Sequence, residues 1–186
     1  LAVRGHHLEI VRLLLEARAD PNLPEFQWNS AGSRESTTPL ELAITMNNQE
    51  IIKILRQHGA DPTFRKEPEV NGLYLIKAIQ DKNDFILKYY FENTRIVNFN
   101  VKNHLGNTAL IEAIKMGDDG ILKELISAKA DINLNNNLYS PLRLAVEKVL
   151  LEGNGDKKKS FSIMIKDLID AGADVNSLDK SKRSCL

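Results

Sequence analysis

Two short signatures recur in alternation along this chain, and a repetitive chain cannot fold like an ordinary globule. Leu1-Ala2-Val3 returns as Leu42-Ala43-Ile44, Lys77-Ala78-Ile79, Glu112-Ala113-Ile114 and Leu144-Ala145-Val146. The second signature follows each copy. It reads Ala19-Asp20-Pro21-Asn22, Ala60-Asp61-Pro62-Thr63, Ala130-Asp131-Ile132-Asn133 and Ala173-Asp174-Val175-Asn176, with a worn version, Val97-Asn98-Phe99-Asn100. Asn100 to Asn133 is a step of 33 residues. In three copies the aspartate lies 18 positions after the alanine: Ala2 to Asp20, Ala43 to Asp61 and Ala113 to Asp131.

One repeat has a direct physical reading. Thr38-Pro39-Leu40, Thr108-Ala109-Leu110 and Ser140-Pro141-Leu142 suit helix starts, because a hydroxyl caps orphan N–H groups and Pro is tolerated in the first turn. Leu40, Ala43 and Ile44 then share one face. A second helix follows, with Ile51, Ile52, Ile54 and Leu55 as its apolar set. Equivalent sets are Leu8, Val11, Leu14 and Leu15, then Ile121, Leu122, Leu125 and Ile126, then Ile165, Leu168 and Ile169. Gly59 and Gly172 fall where a left-handed C-terminal cap favours glycine. The aspartates form hairpins through side-chain-to-backbone hydrogen bonds. So short a helix pair cannot bury both faces alone, and the repeats must stack.

These marks together resemble the ankyrin repeat family over nearly the whole chain: Thr-Pro-Leu-x-x-Ala, Gly5-His6 before a second helix, Leu-Leu within it, and Gly-Ala-Asp-x-Asn after it. The resemblance implies an all-α solenoid of helix–turn–helix units joined by β-hairpin loops, with hairpins and first helices on a concave face. It implies a single domain over 1–186, with approximate units 1–22 (partial), 23–63, 64–100, 101–133, 134–176 and 177–186 (partial). Both ends read as cut inside repeats, which predicts that the parent protein continues in both directions.

The departures from the repeat are local. The second unit carries about eight extra residues between Leu23 and Thr37. They include Pro24, Phe26 and the only tryptophan, Trp28. In the third unit Leu73-Tyr74-Leu75 stands where Thr-Pro-Leu would, and Tyr89, Tyr90 and Phe91 thicken the second helix as core filling. The fifth unit has roughly ten extra residues around Leu151 to Ser160, and Glu152 to Lys159 reads as a mobile polar loop. Arg18 and Lys129 replace the capping glycine, at about 1 kcal/mol each if the left-handed geometry is kept. The His that the family places after Pro-Leu is replaced by Glu41, Ile111 and Arg143, which puts its interrepeat hydrogen bonds in doubt.

Composition excludes several function classes. The chain has 186 residues, with 25 Lys+Arg against 25 Asp+Glu. Zero net charge argues against nucleic acid as a partner, and the run Lys157 to Lys159 reads as solvated. The four histidines form no metal-ligand spacing, and the single cysteine, Cys185, has no triad partner. No Gly-rich phosphate loop, signal peptide or membrane-spanning apolar run is present. The reading is therefore non-catalytic, with no cofactor, no metal and no membrane insertion, for a chain that is a monomer in isolation and sits in a reducing, cytoplasmic compartment.

The expected function is recognition of a partner protein through the concave face and the inserted hairpin finger. The candidate contacts are Phe26 and Trp28 on the finger, then Thr45, Met46, His104, Leu105, Asn107, Lys115, Met116, Tyr139 and Glu147 at hairpin tips and just after the helix alanines. Trp28 has two open readings, a partner contact and packing back on the stack. The alternative function is a targeting or regulatory block of a larger enzyme. The worn repeats and Asn/Lys/Ile-rich composition also resemble ankyrin effectors that intracellular bacteria deliver into host cytoplasm.

Overall fold

A computed structural model describes residues 1–28, 34–61, 68–136, 138–152 and 155–177, with backbone alone at 26–28 and 34–35. The chain divides into two compact units, Leu1–Lys66 and Glu67–Leu186. The first unit contains α1 (Leu8–Glu16), β1 (Glu25–Trp28), β2 (Arg34–Thr37), α2 (Pro39–Thr45) and α3 (Gln49–Gln57). The strands pair antiparallel, Glu25 opposite Thr37 and Trp28 opposite Arg34. Helix α3 packs on both α1 and α2. Cys185 and the rest of 178–186 lie outside the described residues.

The second unit contains α4 (Pro68–Gln80), α5 (Asp84–Glu92), a 3-10 turn at Thr94–Ile96, α6 (Ala109–Met116), α7 (Asp119–Ser127), α8 (Pro141–Leu151) and α9 (Asp156–Asp170). First helices stack on first helices, α4 on α6 and α6 on α8, while α7 meets α9 in a second layer. The fold is the all-α repeat stack that the sequence implies.

Local chemistry sets these elements. Thr38 Oγ1 accepts from the Glu41 N–H at 3.2 Å, and the Glu41 carboxylate accepts from the Thr38 N–H at 2.6 Å, with Pro39 in the first turn. Thr108 and Ser140 cap α6 and α8 by accepting from Ile111 N–H and Arg143 N–H, both at 3.3 Å. The second helices have caps of their own, which the sequence reading missed. Asn48, Asn83 and Asp118 accept from the amides of Ile51, Ile86 and Ile121 at 3.1, 3.2 and 3.0 Å. Gly59 and Gly172 are left-handed, as expected, at φ 85° and 93°. Arg18 and Lys129 hold the same geometry with side chains, at φ 64° and 66°.

The core lies between the layers. It includes Leu40, Ala43, Ile44 and Ile51 in the first unit, and Leu110, Ala113, Ile114, Leu122 and Leu168 in the second. Leu14 and Ile169, expected in the apolar sets, are about half exposed.

Two expectations need correcting. Leu73-Tyr74-Leu75 does not open a helix, because α4 has already begun at Pro68. The early turns of α4 are held by the segment after α5: the Asn98 amide donates to the Pro68 carbonyl at 2.9 Å, and the buried Asn71 carboxamide donates to Ile96 O at 2.7 Å. The supposed polar loop of the fifth repeat is helical from Asp156 onward, so Lys157, Lys158 and Lys159 form the exposed first turn of α9. Buried Phe161 anchors that turn beside Gly117, and Ser160 Oγ donates to Gly117 O at 2.9 Å.

Candidate partner-binding groove

The hairpin tips of the fourth and fifth repeats are built on asparagines. The Asn103 side-chain oxygen accepts from the amides of Leu105 and Asn107, each at 3.0 Å, and the Asn103 N–H closes on Asn107 O at 2.9 Å. One repeat later, Asn136 Oδ1 accepts from the Leu138 and Tyr139 amides, each at 2.7 Å. Such Asx turns fix the backbone while leaving the next side chain outside. Leu105 and Leu138 are that side chain, 54% and 57% exposed.

Beneath the tips lies a polar base. Asn107 is buried, 5% exposed. Its carboxamide donates to Glu112 Oε1 at 2.7 Å and accepts from Asn136 Nδ2 at 2.9 Å. Glu112, 3% exposed, also takes Lys115 Nζ at 3.2 Å. Tyr139 OH donates to Glu147 Oε1 at 3.3 Å. A buried carboxylate persists only when donors surround it, and here Asn107 of the fourth-repeat hairpin and Lys115 of α6 supply them.

Tips and base enclose a groove of about 500 Å³. Five sequence candidates line it together: Leu105, Asn107, Lys115, Tyr139 and Glu147. Leu138, Lys148 and Leu151 complete its apolar and basic parts. Asn107 is not the free surface group expected of it, because its amide is spent inside the hairpins. His104 and Met116 are exposed but do not line the groove. Thr45 and Met46 belong to the first unit, Thr45 exposed with its hydroxyl bonded to Glu41 O at 2.9 Å, Met46 half-buried at the end of α2. Phe26 and Trp28 occupy alternate positions of β1, and their side chains lie outside the described residues.

A family model described as ankyrin repeats (three copies) matches residues 1–66 and 75–179. The chain belongs to the ankyrin repeat family. The solved ankyrin repeat protein EF0377 is 26% identical with a TM-score of 0.63, over 99% of this chain and 85% of that one. An ankyrin repeat protein of Acanthamoeba polyphaga mimivirus is 30% identical over 114 residues, 55% of this chain and 19% of that protein. One from fowlpox virus (strain NVSL) is 28% identical over 142 residues, 74% of this chain and 38% of that protein. The chain therefore spans less than two fifths of the length of either viral relative. Ankyrin repeats are in general non-catalytic protein–protein interaction modules. Among the described residues no helix is long and apolar enough to cross a membrane, and no cluster of side chains could hold a metal ion.

Ankyrin stacks need bonds between repeats, and here asparagine supplies them in place of the missing His. Asn22 Oδ1 accepts from the Asp61 N–H, Asn100 from Asp131 and Asn133 from Asp174, each at 2.8 Å. Each bond joins consecutive hairpins inside one compact unit. The aspartates act as expected: Asp20, Asp131 and Asp174 accept from the amide two residues on, at 2.8, 2.9 and 2.9 Å. Periodicity shows the asparagines as plainly as the aspartates, but not that each asparagine bonds the next repeat.

Proposed function

We propose that this ankyrin block is a recognition module for a partner protein, and that the groove between the fourth and fifth repeats is its principal contact surface. One observation carries the reading: five of the eleven candidates taken from hairpin tips, the inserted finger and the positions after helix alanines line one groove, with exposed leucines at its rim. Exposed aliphatic side chains held on a rigid polar base supply contact area at little ordering cost. The inserted β1–β2 hairpin of the first unit is a second contact, with Phe26 and Trp28 as its anchors. The cytoplasm, where thiols stay reduced, is the compartment that the composition fits.

A second reading treats the block as the targeting part of a longer protein whose activity lies elsewhere. What supports it is the length of the relatives, of which this chain matches a minor share.

The test is affinity capture from cytosolic lysate with wild type, a Leu105→Ser/Leu138→Ser variant and a Phe26→Ala/Trp28→Ala variant, matched for urea midpoint. A protein kept by wild type and lost by the leucine variant is the expected result. Equal retention by wild type and the leucine variant overturns the groove, and equal retention by the finger variant removes the finger.

A further inference from the structure

The helical hairpin of the fifth repeat reaches past the repeat before it. Helix α8 has 11 residues against 8 in α6, and α9 has 15 against 9 in α7. Ser160 and Phe161 meet Gly117, at the turn between α6 and α7. The start of α9, Asp156 to Lys159, therefore stands beyond that turn by about 6 Å of helix. On α8 the place of Gly117 falls at Val149, because Ala113 and Ala145 are equivalent, so Leu150 and Leu151 stand beyond it too.

This tip is bare. Leu150 and Leu151 are 79% and 74% exposed, more than any other leucine among the described residues except Leu1. Lys157, Lys158 and Lys159 are exposed at the same end of the packed α8–α9 pair. Lys159 stands 4.0 Å from Asp156, an exposed pair that contributes little. Lys157 and Lys158 have no carboxylate within 4.0 Å among the described residues. With Glu152 and Asp156 counted, the tip is still net positive. The lysines do not stabilise α9, whose N-terminal end already carries positive partial charge.

Bare leucines and cations at a projecting end match a surface that is both oily and anionic. Shape then separates a lipid surface from a protein groove. Successive helical residues point about 100° apart. Leu151 lines the groove of the fourth and fifth repeats, and Leu150 does not. A protein groove laid along one face of α8 meets one of the two. A lipid surface met end-on has no fixed shape and takes both, with the lysines among its headgroups. Independently of the groove reading, we propose that the α8–α9 tip is a peripheral docking site for a membrane bearing anionic lipid. Leu150 and Leu151 enter the interface, and Lys157, Lys158 and Lys159 meet the headgroups. The contact is with one leaflet and is not a span.

The test is co-sedimentation of the 186-residue chain with phosphatidylcholine vesicles that contain or lack phosphatidylserine. Retention on the anionic vesicles alone is expected, falling about tenfold when salt is raised well above physiological strength. Lys157→Gln/Lys158→Gln/Lys159→Gln should weaken it about a hundredfold, at about fivefold for each lysine. Leu150→Ser/Leu151→Ser should weaken it about tenfold. Every side chain substituted at the tip is exposed, so unchanged urea midpoints verify that the variants fold. Leu105→Ser/Leu138→Ser should bind the vesicles as wild type does. No retention on anionic vesicles, equal retention on neutral ones, or full retention by either tip variant overturns the proposal. A loss by the rim-leucine variant as large as that of the tip variants would move the contact to the groove and overturn it as well. If wild type binds immobilised polyglutamate and no vesicle, the partner is an acidic chain and the lipid surface fails.

Discussion

Asn107 accepts a hydrogen bond from the Asn136 carboxamide at 2.9 Å, and so ties the hairpin of the fourth repeat to that of the fifth. Because Asn107 is buried and its amide also serves Glu112, its removal strips a donor from a buried carboxylate. Asn107→Ala is expected to destabilise the chain by about 2 kcal/mol and Asn136→Ala by about 1 kcal/mol. A double-mutant cycle on urea midpoints should return a coupling of about 0.5–1.5 kcal/mol. A coupling near zero would mean that the two hairpins are held by other contacts.

The same logic applies at the outer edge of the stack, where Asn133 Oδ1 accepts from the Asp174 amide. Both residues are exposed, so the cost of Asn133→Ala is smaller, about 0.5–1 kcal/mol. Amide exchange localises the effect. Exchange at Asp174 should quicken severalfold, while exchange at Asn176, whose amide bonds Asp174 within its own hairpin, should change little. Equal acceleration at both would show that the hairpin opens as one piece and that no separate interrepeat bond exists.

Much of this architecture is legible in one dimension. A helix cap, a left-handed glycine and an Asx turn each depend on a few neighbouring residues, so Thr38, Gly59 and Asp131 declare themselves. Contacts between repeats do not, because periodicity says that a residue recurs and not what it faces. That is why the sequence presents Asn107 as a contact residue and gives no sign that Glu112 is buried beneath it. The first turn of α9 is hidden for a different reason. Three lysines look like a loop, but an exposed turn tolerates them, and Phe161, Met164 and Leu168 behind them keep i, i+3, i+7 spacing and are all buried. In the worn third repeat the start of α4 depends on bonds from Asn98 and Ile96, which lie more than twenty residues away.

Gly72 sits where α4 meets that distant segment. A Cβ there would collide with the Asn98 carbonyl oxygen and stand 2.7 Å from Val101 Cγ2. Backbone cannot yield as a flexible side chain would. Gly72→Ala is therefore expected to destabilise by about 2–3 kcal/mol, although alanine is the better helix former. A neutral or stabilising effect in thermal unfolding would place α4 further from the Asn98 segment than described.

Lys129 offers the opposite sign. Its side chain is exposed, and its backbone is left-handed at the end of α7, where two other repeats use glycine. Lys129→Gly should stabilise by about 0.5–1 kcal/mol through relief of that conformation, and Lys129→Ala should not. Equal effects of glycine and alanine would assign the change to the lost lysine side chain.

Phe161 decides whether the extra residues of the fifth repeat are structural. It is 3% exposed, and its ring edge lies in the space next to Gly117, at the turn between α6 and α7. The helical insertion thus returns to pack on the preceding repeat, with Ser160 bonded to the same glycine. Truncating a buried phenylalanine costs about 3–5 kcal/mol, from lost transfer energy and the cavity left behind. Phe161→Ala should fall in that range and should speed amide exchange through the first two turns of α9 and at Gly117. A loss below about 1 kcal/mol is what a solvated loop would give, and it would return 156–161 to the polar loop that the lysine run first indicates.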